Sequence, residues 1–90
     1  MPIDLANVRE DDRSWSGDMI DRGTTFHVEI YAMNLEGVAC WETNIWEPAN
    51  REMVWPEAVR EARHFPTLDF AIQMAAWKIV EALKDERNVE

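Results

Sequence analysis

The chain has 90 residues, the size of one domain, so residues 1–90 are expected to form a single domain with a small core. Eighteen Asp and Glu residues oppose nine Lys and Arg residues, and the net charge is −9. Nucleic acids and anionic membranes are bound through basic surfaces, so this balance argues against either as a direct partner. No apolar run approaches the roughly 20 residues that a membrane span requires.

The first residues, 1–13, are polar and contain the acidic run Glu10-Asp11-Asp12. We predict a loosely held arm here, which could include one helical turn through Leu5 and Val8. It lacks the basic segment followed by an apolar segment that marks a signal peptide. Cys40 is the single cysteine, so an internal disulfide is impossible. These features favour a reducing, cytoplasmic location.

The middle of the chain carries the pattern of an antiparallel sheet. Ser14–Ile20 predicts a weak edge strand, because Gly17 interrupts it. Asp21-Arg22-Gly23 is a turn signal. Thr24–Met33 alternates apolar and polar residues and contains many β-formers, which predicts the clearest strand. Val38–Trp46 is then its return strand.

The segment Asn34-Leu35-Glu36-Gly37 has the signature of a type I turn. If Asn34 pairs with Gly37, one face of the hairpin becomes almost wholly apolar, with Phe26, Val28, Ile30 and Ala32 beside Ala39, Trp41, Thr43 and Ile45. A longer loop with a bulge would change this register but keep the hairpin. On the other face Glu29 would lie directly opposite Glu42, an arrangement unfavourable by up to about 1 kcal/mol. Either both carboxylates extend into water, or they meet a cationic partner.

The last part of the chain predicts a long helix. Before it, Arg51–Trp55 predicts a short third strand, and residues 56–63 predict a helical turn that begins at Pro56. The helix is expected over Thr67–Lys84, with Thr67 as the N-cap, and residues 85–90 as a frayed tail. The fold class is therefore α+β. A small antiparallel sheet, with two firm strands and one or two weaker ones, packs on one long C-terminal helix.

The helix carries apolar residues on two sides. Helical spacing predicts a core-facing arc of Leu68, Ala71, Ile72, Ala75, Ala76, Ile79 and Leu83. Phe70, Met74 and Trp77 lie roughly opposite this arc, where a helix on a sheet is usually polar. Either another part of the chain covers these three side chains, or they form a surface for a partner or for self-association.

Chemistry-bearing residues are sparse. Cys40 and His27 share a strand face without a third orienting group, and His64 is expected to cap or pack at the start of the helix. The two histidines and the cysteine lack the close spacing of metal ligands, and no phosphate-binding glycine loop occurs. The sequence therefore predicts no catalytic residue, no metal site and no cofactor, and an enzyme is not expected.

The remaining hypothesis is protein binding. The predicted contact surface is acidic and aromatic, and its residues are Glu29, Tyr31, Glu42, Trp46 and Glu47. A basic protein is the expected partner, and one version of the hypothesis is an inhibitor that occupies a basic, nucleic-acid-binding surface. Small acidic phage inhibitors of defence nucleases act in this general way, although no motif here identifies such a family. The alternative is a structural domain that docks or forms a homodimer through Phe70, Met74 and Trp77.

Overall fold

An antiparallel sheet and one C-terminal helix make up the described part of the chain. The computed structural model describes residues 3–47, 52–53 and 64–88, with side chains at 3–46 and 64–81. Its elements are β1 (Asp4–Glu10), β2 (Ser14–Asp21), β3 (Thr24–Leu35), β4 (Val38–Glu47), β5 (Glu52–Met53), β6 (His64–Phe65) and α1 (Leu68–Asn88). The strand order is β1-β2-β3-β4-β5, and β6 also pairs with β4. The predicted α+β fold is confirmed, with more strands than expected.

The N-terminal segment differs from its prediction. Residues 4–10 form the edge strand β1, so the helical turn expected through Leu5 and Val8 is wrong. Leu5 and Val8 are three residues apart, which resembles helical spacing, but the pairing with β2 shifts between Ala6 and Arg9. Asn7 lies inside this irregularity with a positive φ of 55°. Such a bulge changes the alternation of the strand and lets both apolar residues serve one face.

Strand β2 is an inner strand and not the predicted edge strand, since β1 and β3 flank it. Gly17, which weakened the prediction, has a packing role there. A Cβ at this position would lie 3.1 Å from Cη2 of Trp15 and 3.3 Å from Cγ2 of Val8. Trp15 is buried and belongs to the core. The absent side chain therefore leaves room for an indole ring above the strand.

The β2–β3 and β3–β4 hairpins close through two-residue turns. Arg22 and Gly23 have φ angles of 54° and 80°, and Glu36 and Gly37 have φ angles of 53° and 87°. Two consecutive positive φ angles are typical of the type I′ turn, which suits the right-handed twist of paired strands. The turn predicted at Asp21-Arg22-Gly23 is confirmed, while the type I turn predicted for the second hairpin is wrong.

The register of β3 and β4 is consequently shifted by two residues from the prediction. Leu35 pairs with Val38, and Ile30 pairs with Thr43 instead of Trp41. A shift of two residues keeps every side chain on its predicted face, because strand side chains alternate with a period of two. Asn34 still contributes to the turn, since its Oδ1 accepts a hydrogen bond of 2.8 Å from the Gly37 amide.

The core lies between one face of the sheet and α1. Ala71, Ala75 and Ile79 of the helix are fully buried, as the helical spacing predicted, and the small alanines permit close approach to the strands. Leu68, Ile72 and Ala76 are partly buried against the same cluster, and Leu83 lies outside the described side chains. The sheet contributes Trp15, Met19, Phe26, Val28, Ile30, Ile45 and Phe65, and Trp41 packs against them.

The ends of α1 follow the sequence signals in part. The Thr67 hydroxyl accepts a hydrogen bond of 3.1 Å from the Phe70 amide, which confirms Thr67 as the N-cap. The helix continues to Asn88, one turn beyond the predicted end at Lys84. Residues 85–88 contain no Gly or Pro that would stop it, and Glu and Arg favour helix. The strand predicted over 51–55 corresponds to β5, and the helical turn predicted over 56–63 lies outside the described residues.

The observed turn makes a prediction about Glu36. Replacing Glu36 with Asn is expected to raise the free energy of unfolding by about 0.5–1 kcal/mol, because Asn tolerates a positive φ better than Glu. Chemical denaturation measures this difference. Glu36→Gln is the matched control, because it removes the same charge and keeps the side-chain length. Equal stability of the Asn and Gln variants would contradict the two-residue turn.

Candidate binding surface

The sheet face opposite α1 brings together acidic and aromatic side chains from three neighbouring strands. We call it the acidic face and define it by Asp18, His27, Glu29, Tyr31, Glu42 and Trp46. Strand pairing arranges these residues in rows. Asp18, His27 and Trp46 are neighbours across β2, β3 and β4, and Tyr31 lies opposite Glu42 four residues farther along β3. Glu29 lies between these rows, opposite Asn44.

His27 occupies the centre of this face. Its Nδ1 lies 3.1 Å from Oδ1 of Asp18, and its Nε2 lies 2.8 Å from Oε2 of Glu29. The imidazole also stacks on Trp46, with ring centroids 6.0 Å apart and an angle of 28° between the planes. Burial lowers the pKa of His27, but hydrogen bonds to Asp18 and Glu29 and their charges outweigh it, so the net pKa is raised.

Glu29 is held from two sides. The Tyr31 hydroxyl donates a hydrogen bond to Oε1 of Glu29, and His27 contacts the other carboxylate oxygen. The bond from Tyr31 is the main cause that lowers the pKa of Glu29, and burial opposes it. The same bond, together with burial and the charges of Glu29 and Glu42, raises the pKa of Tyr31 to about 12. Tyr31 therefore remains a neutral hydrogen-bond donor at physiological pH.

Asp18 connects the acidic face to the edge strand. The Asn7 side-chain amide donates a hydrogen bond of 2.8 Å to Oδ2 of Asp18, while Oδ1 faces His27. These two hydrogen bonds, the one from Asn7 first, lower the pKa of Asp18. A continuous chain of polar contacts thus crosses three strands, in the order Asn7, Asp18, His27, Glu29 and Tyr31. It keeps both carboxylates ionised over the physiological range.

Glu42 occupies the other end of the face. The Asn44 side-chain amide lies 3.4 Å from its Oε2, and Nε2 of His64 lies 3.4 Å from its Oε1. His64 Nε2 also lies 3.1 Å from Sδ of Met33. His64 thus packs against the sheet at β6, just before α1, which agrees with its expected place at the start of the helix.

The structure places the predicted contact residues as follows. Glu29, Tyr31, Glu42 and Trp46 share the acidic face, and the side chain of Glu47 lies outside the described part. The predicted direct opposition of Glu29 and Glu42 is wrong, because the register differs by two residues and places Glu29 opposite Asn44. Tyr31 lies between the two carboxylates, and its hydroxyl donates a hydrogen bond to Glu29.

Sequence reasoning missed the roles of Asp18 and His27. The weak edge strand predicted for β2 gives Asp18 no role, and the sequence suggests His27 only as a partner of Cys40 or as a metal ligand. A usable signal was present. The turn at Asp21-Arg22-Gly23 pairs Asp18 with His27 if β2 and β3 form a tight hairpin. Asn7 carried no comparable signal, because the bulge that directs it is not encoded by Gly or Pro.

A second surface lies at the junction of β1 and α1. Phe70 is 46% exposed and Trp77 is 53% exposed, whereas Met74 is partly buried against the core. Phe65 stacks on Phe70 with ring centroids 5.6 Å apart and so covers part of it. A groove of about 420 Å³ is lined by Ile3, Leu5, Met19, Ile72, Gln73, Ala76, Trp77 and Val80. The chain therefore covers Met74 and part of Phe70, as the first explanation expects, and leaves Trp77 and the rest of Phe70 exposed.

The described residues contain no group of three or more His, Cys, Asp or Glu side chains arranged to hold a metal ion. Within the same part of the chain, α1 is too polar to cross a membrane. Comparison of the chain with protein-family models, curated proteins and solved structures found no match. Functional inference therefore depends on the surfaces described above.

The geometry at His27 predicts a pH dependence of stability. A raised pKa in the folded state stabilises the fold fully below the unfolded pKa of about 6.5, and this contribution is lost as pH rises through the folded pKa. The stability difference between the natural protein and His27→Gln should therefore shrink as the pH rises above about 6.5. Urea denaturation at several pH values measures it.

Asp18 and Glu29 do not obscure this comparison. Their pKa values are lowered, so both carboxylates stay ionised over this range, and their own contribution is lost only in more acidic solution. A stability difference that stays constant or widens with rising pH would show that His27 gains nothing from its two carboxylates.

Proposed function

We propose that this chain is a non-enzymatic, cytoplasmic binding protein whose acidic face docks on a basic protein. One observation carries the proposal. Strands β2, β3 and β4 contain five acidic residues, Asp18, Asp21, Glu29, Glu42 and Glu47, and no Lys or Arg. Three of these carboxylates share one sheet face with the aromatic rings of Tyr31 and Trp46. These three strands thus place no permanently charged cation on this face.

The aromatic rings make arginine the favoured contact residue. Tyr31 is 42% exposed beside Glu42, its neighbour on β4. A guanidinium group can stack on an aromatic ring while it donates hydrogen bonds to a carboxylate, and it holds its hydration shell weakly. The net charge of −9 would also steer the protein toward a basic surface and raise the rate of encounter.

A basic groove that normally binds nucleic acid offers these features together. Its Arg and Lys side chains are spaced to meet a row of phosphates, and an acidic sheet face can present carboxylates to the same side chains. The proposed activity is therefore inhibition by occupation of such a groove. The matching assay asks whether the protein displaces duplex DNA from a basic DNA-binding domain, and whether added salt abolishes the displacement.

An oligo-arginine peptide tests the surface directly. We expect binding that weakens steeply with salt, because the contact is between exposed charges. Backbone amide shifts measured by NMR should change at the residues of the acidic face. Glu42→Gln should weaken binding about two- to five-fold. Asp12→Asn, which removes one exposed charge from the bend between β1 and β2, is the matched control and should have a smaller effect.

Two results would contradict this proposal. The first is a set of shifted amides confined to β1 and α1, away from the acidic face. The second is a peptide affinity that does not change with salt, because apolar docking is insensitive to ionic screening. The melting temperature of each variant shows whether an affinity change merely reflects unfolding.

The alternative function is self-association through the helix back, with a second copy of the chain as occupant of the groove. The exposed side chains of Trp77 and Leu5 line the groove, and the exposed side chain of Val8 lies farther along β1. A two-fold symmetric dimer uses the same patch on both subunits, and this exposed apolar patch is a candidate for that contact.

Sedimentation velocity tests this alternative. If a dimer forms, Trp77→Ala should convert it to a monomer and change the stability of the monomer by less than about 1 kcal/mol, because Trp77 is exposed. Tyr31→Ala is the matched control, since Tyr31 is also an exposed aromatic residue but lies on the opposite face. A natural protein that sediments as a monomer at every concentration would exclude self-association.

A further inference from the structure

His27 has a carboxylate at each ring nitrogen. The distances are 3.1 Å from Nδ1 to Asp18 and 2.8 Å from Nε2 to Glu29. A neutral imidazole carries one N–H, so it can donate to one of these carboxylates, while its other nitrogen directs a lone pair at the second. Only the imidazolium donates to both. The geometry therefore matches the protonated ring.

The two carboxylates that hold His27 are also central to the acidic face. A protonated His27 supplies an internal cation where the cationic side chain of a partner would otherwise bind. The ring also stacks on Trp46, which occupies one side of the indole. A protonated His27 and a bound guanidinium group would therefore both use Asp18 and Glu29 as hydrogen-bond acceptors and Trp46 as a stacking surface.

We propose that a proton on His27 competes with the basic partner for Asp18 and Glu29, an inference that rests on the proposed function. The acidic face would then bind its partner more tightly once His27 is deprotonated. In the protonated state the imidazolium binds both carboxylates and offsets one of their two negative charges. In the deprotonated state the single N–H of the imidazole can donate to one carboxylate, and the other carboxylate is free to bind the partner.

In the chain of polar contacts from Asn7 to Tyr31, His27 is the residue that changes charge near neutral pH. From β2 the ring faces Asp18, and from β3 it faces Glu29, whose carboxylate also binds Tyr31. The pKa values of both carboxylates are lowered, and that of Tyr31 is about 12. From β4 the ring meets Trp46, which does not titrate, and β1 contributes Asn7, which binds Asp18.

The second histidine provides a matched control. His64 contacts Glu42 at the other end of the acidic face, where it pairs with β4 opposite Glu42. Glu42 lies opposite Tyr31, four residues along β3 from His27, and its charge acts on Tyr31. A variant of His64 therefore removes a histidine from the same surface without altering the contacts of His27.

The experiment measures two quantities on the full chain. NMR titration of the His27 ring protons should give a midpoint above 6.5, and Asp18→Asn should lower it. The affinity of an oligo-arginine peptide is then measured from about pH 5.5 to about pH 8.5, a range in which arginine keeps its charge. Below the His27 midpoint, affinity should fall by up to about tenfold per pH unit. His64→Gln should keep this dependence, and His27→Gln should lose it.

The outcomes separate the inference from the proposed function. Peptide binding that does not vary with pH, or that varies equally in His27→Gln, overturns the competition and leaves the binding function standing. Absence of peptide binding at every pH overturns the binding function, and the competition with it. A His27 midpoint at or below 6.5 overturns the competition by itself, because the carboxylates would then not favour the proton.

Discussion

The contact between three alternating side chains of β3 and the small face of α1 determines most of this structure. Phe26, Val28 and Ile30 point to the helix, and Ala71 and Ala75 let the helix approach them closely. Because side chains of a strand alternate, this contact also decides what lies on the opposite face. His27, Glu29 and Tyr31 are directed away from α1 by the same constraint that buries their neighbours. The acidic face therefore consists of the strand residues that alternate with those of the core.

The parts of the fold that were predictable are those encoded by repeating patterns. Alternation identified β3 and β4, and helical spacing with Thr67 as N-cap identified α1 and its buried side. Errors arose where the chain departs from a simple period. The bulge at Asn7 made β1 resemble a helical turn, and Glu36 adopts a conformation that Gly or Asn favours more strongly. Neither deviation is visible from residue type alone.

The candidate surface was predictable at the level of faces and not at the level of contacts. A register error of two residues preserved the grouping of Glu29, Tyr31, Glu42 and Trp46 but gave the wrong neighbours. Neighbours are decisive for chemistry. With Glu29 opposite Glu42 the surface would be a pair of repelling charges, whereas the observed pairing places each carboxylate among hydrogen-bond donors. Identification of Asp18 required knowledge that β2 lies inside the sheet.

The bulge in β1 has a consequence for the behaviour of this chain in concentrated solution. A straight edge strand with exposed Leu5 and Val8 would offer a template on which strands of other molecules could add in sequence, the first step of aggregation. The positive φ of Asn7 interrupts the regular row of outward amides and carbonyls in the middle of that edge. Side chains at this edge can still meet another surface, but propagation of a continuous intermolecular sheet is blocked at its third residue after Asp4.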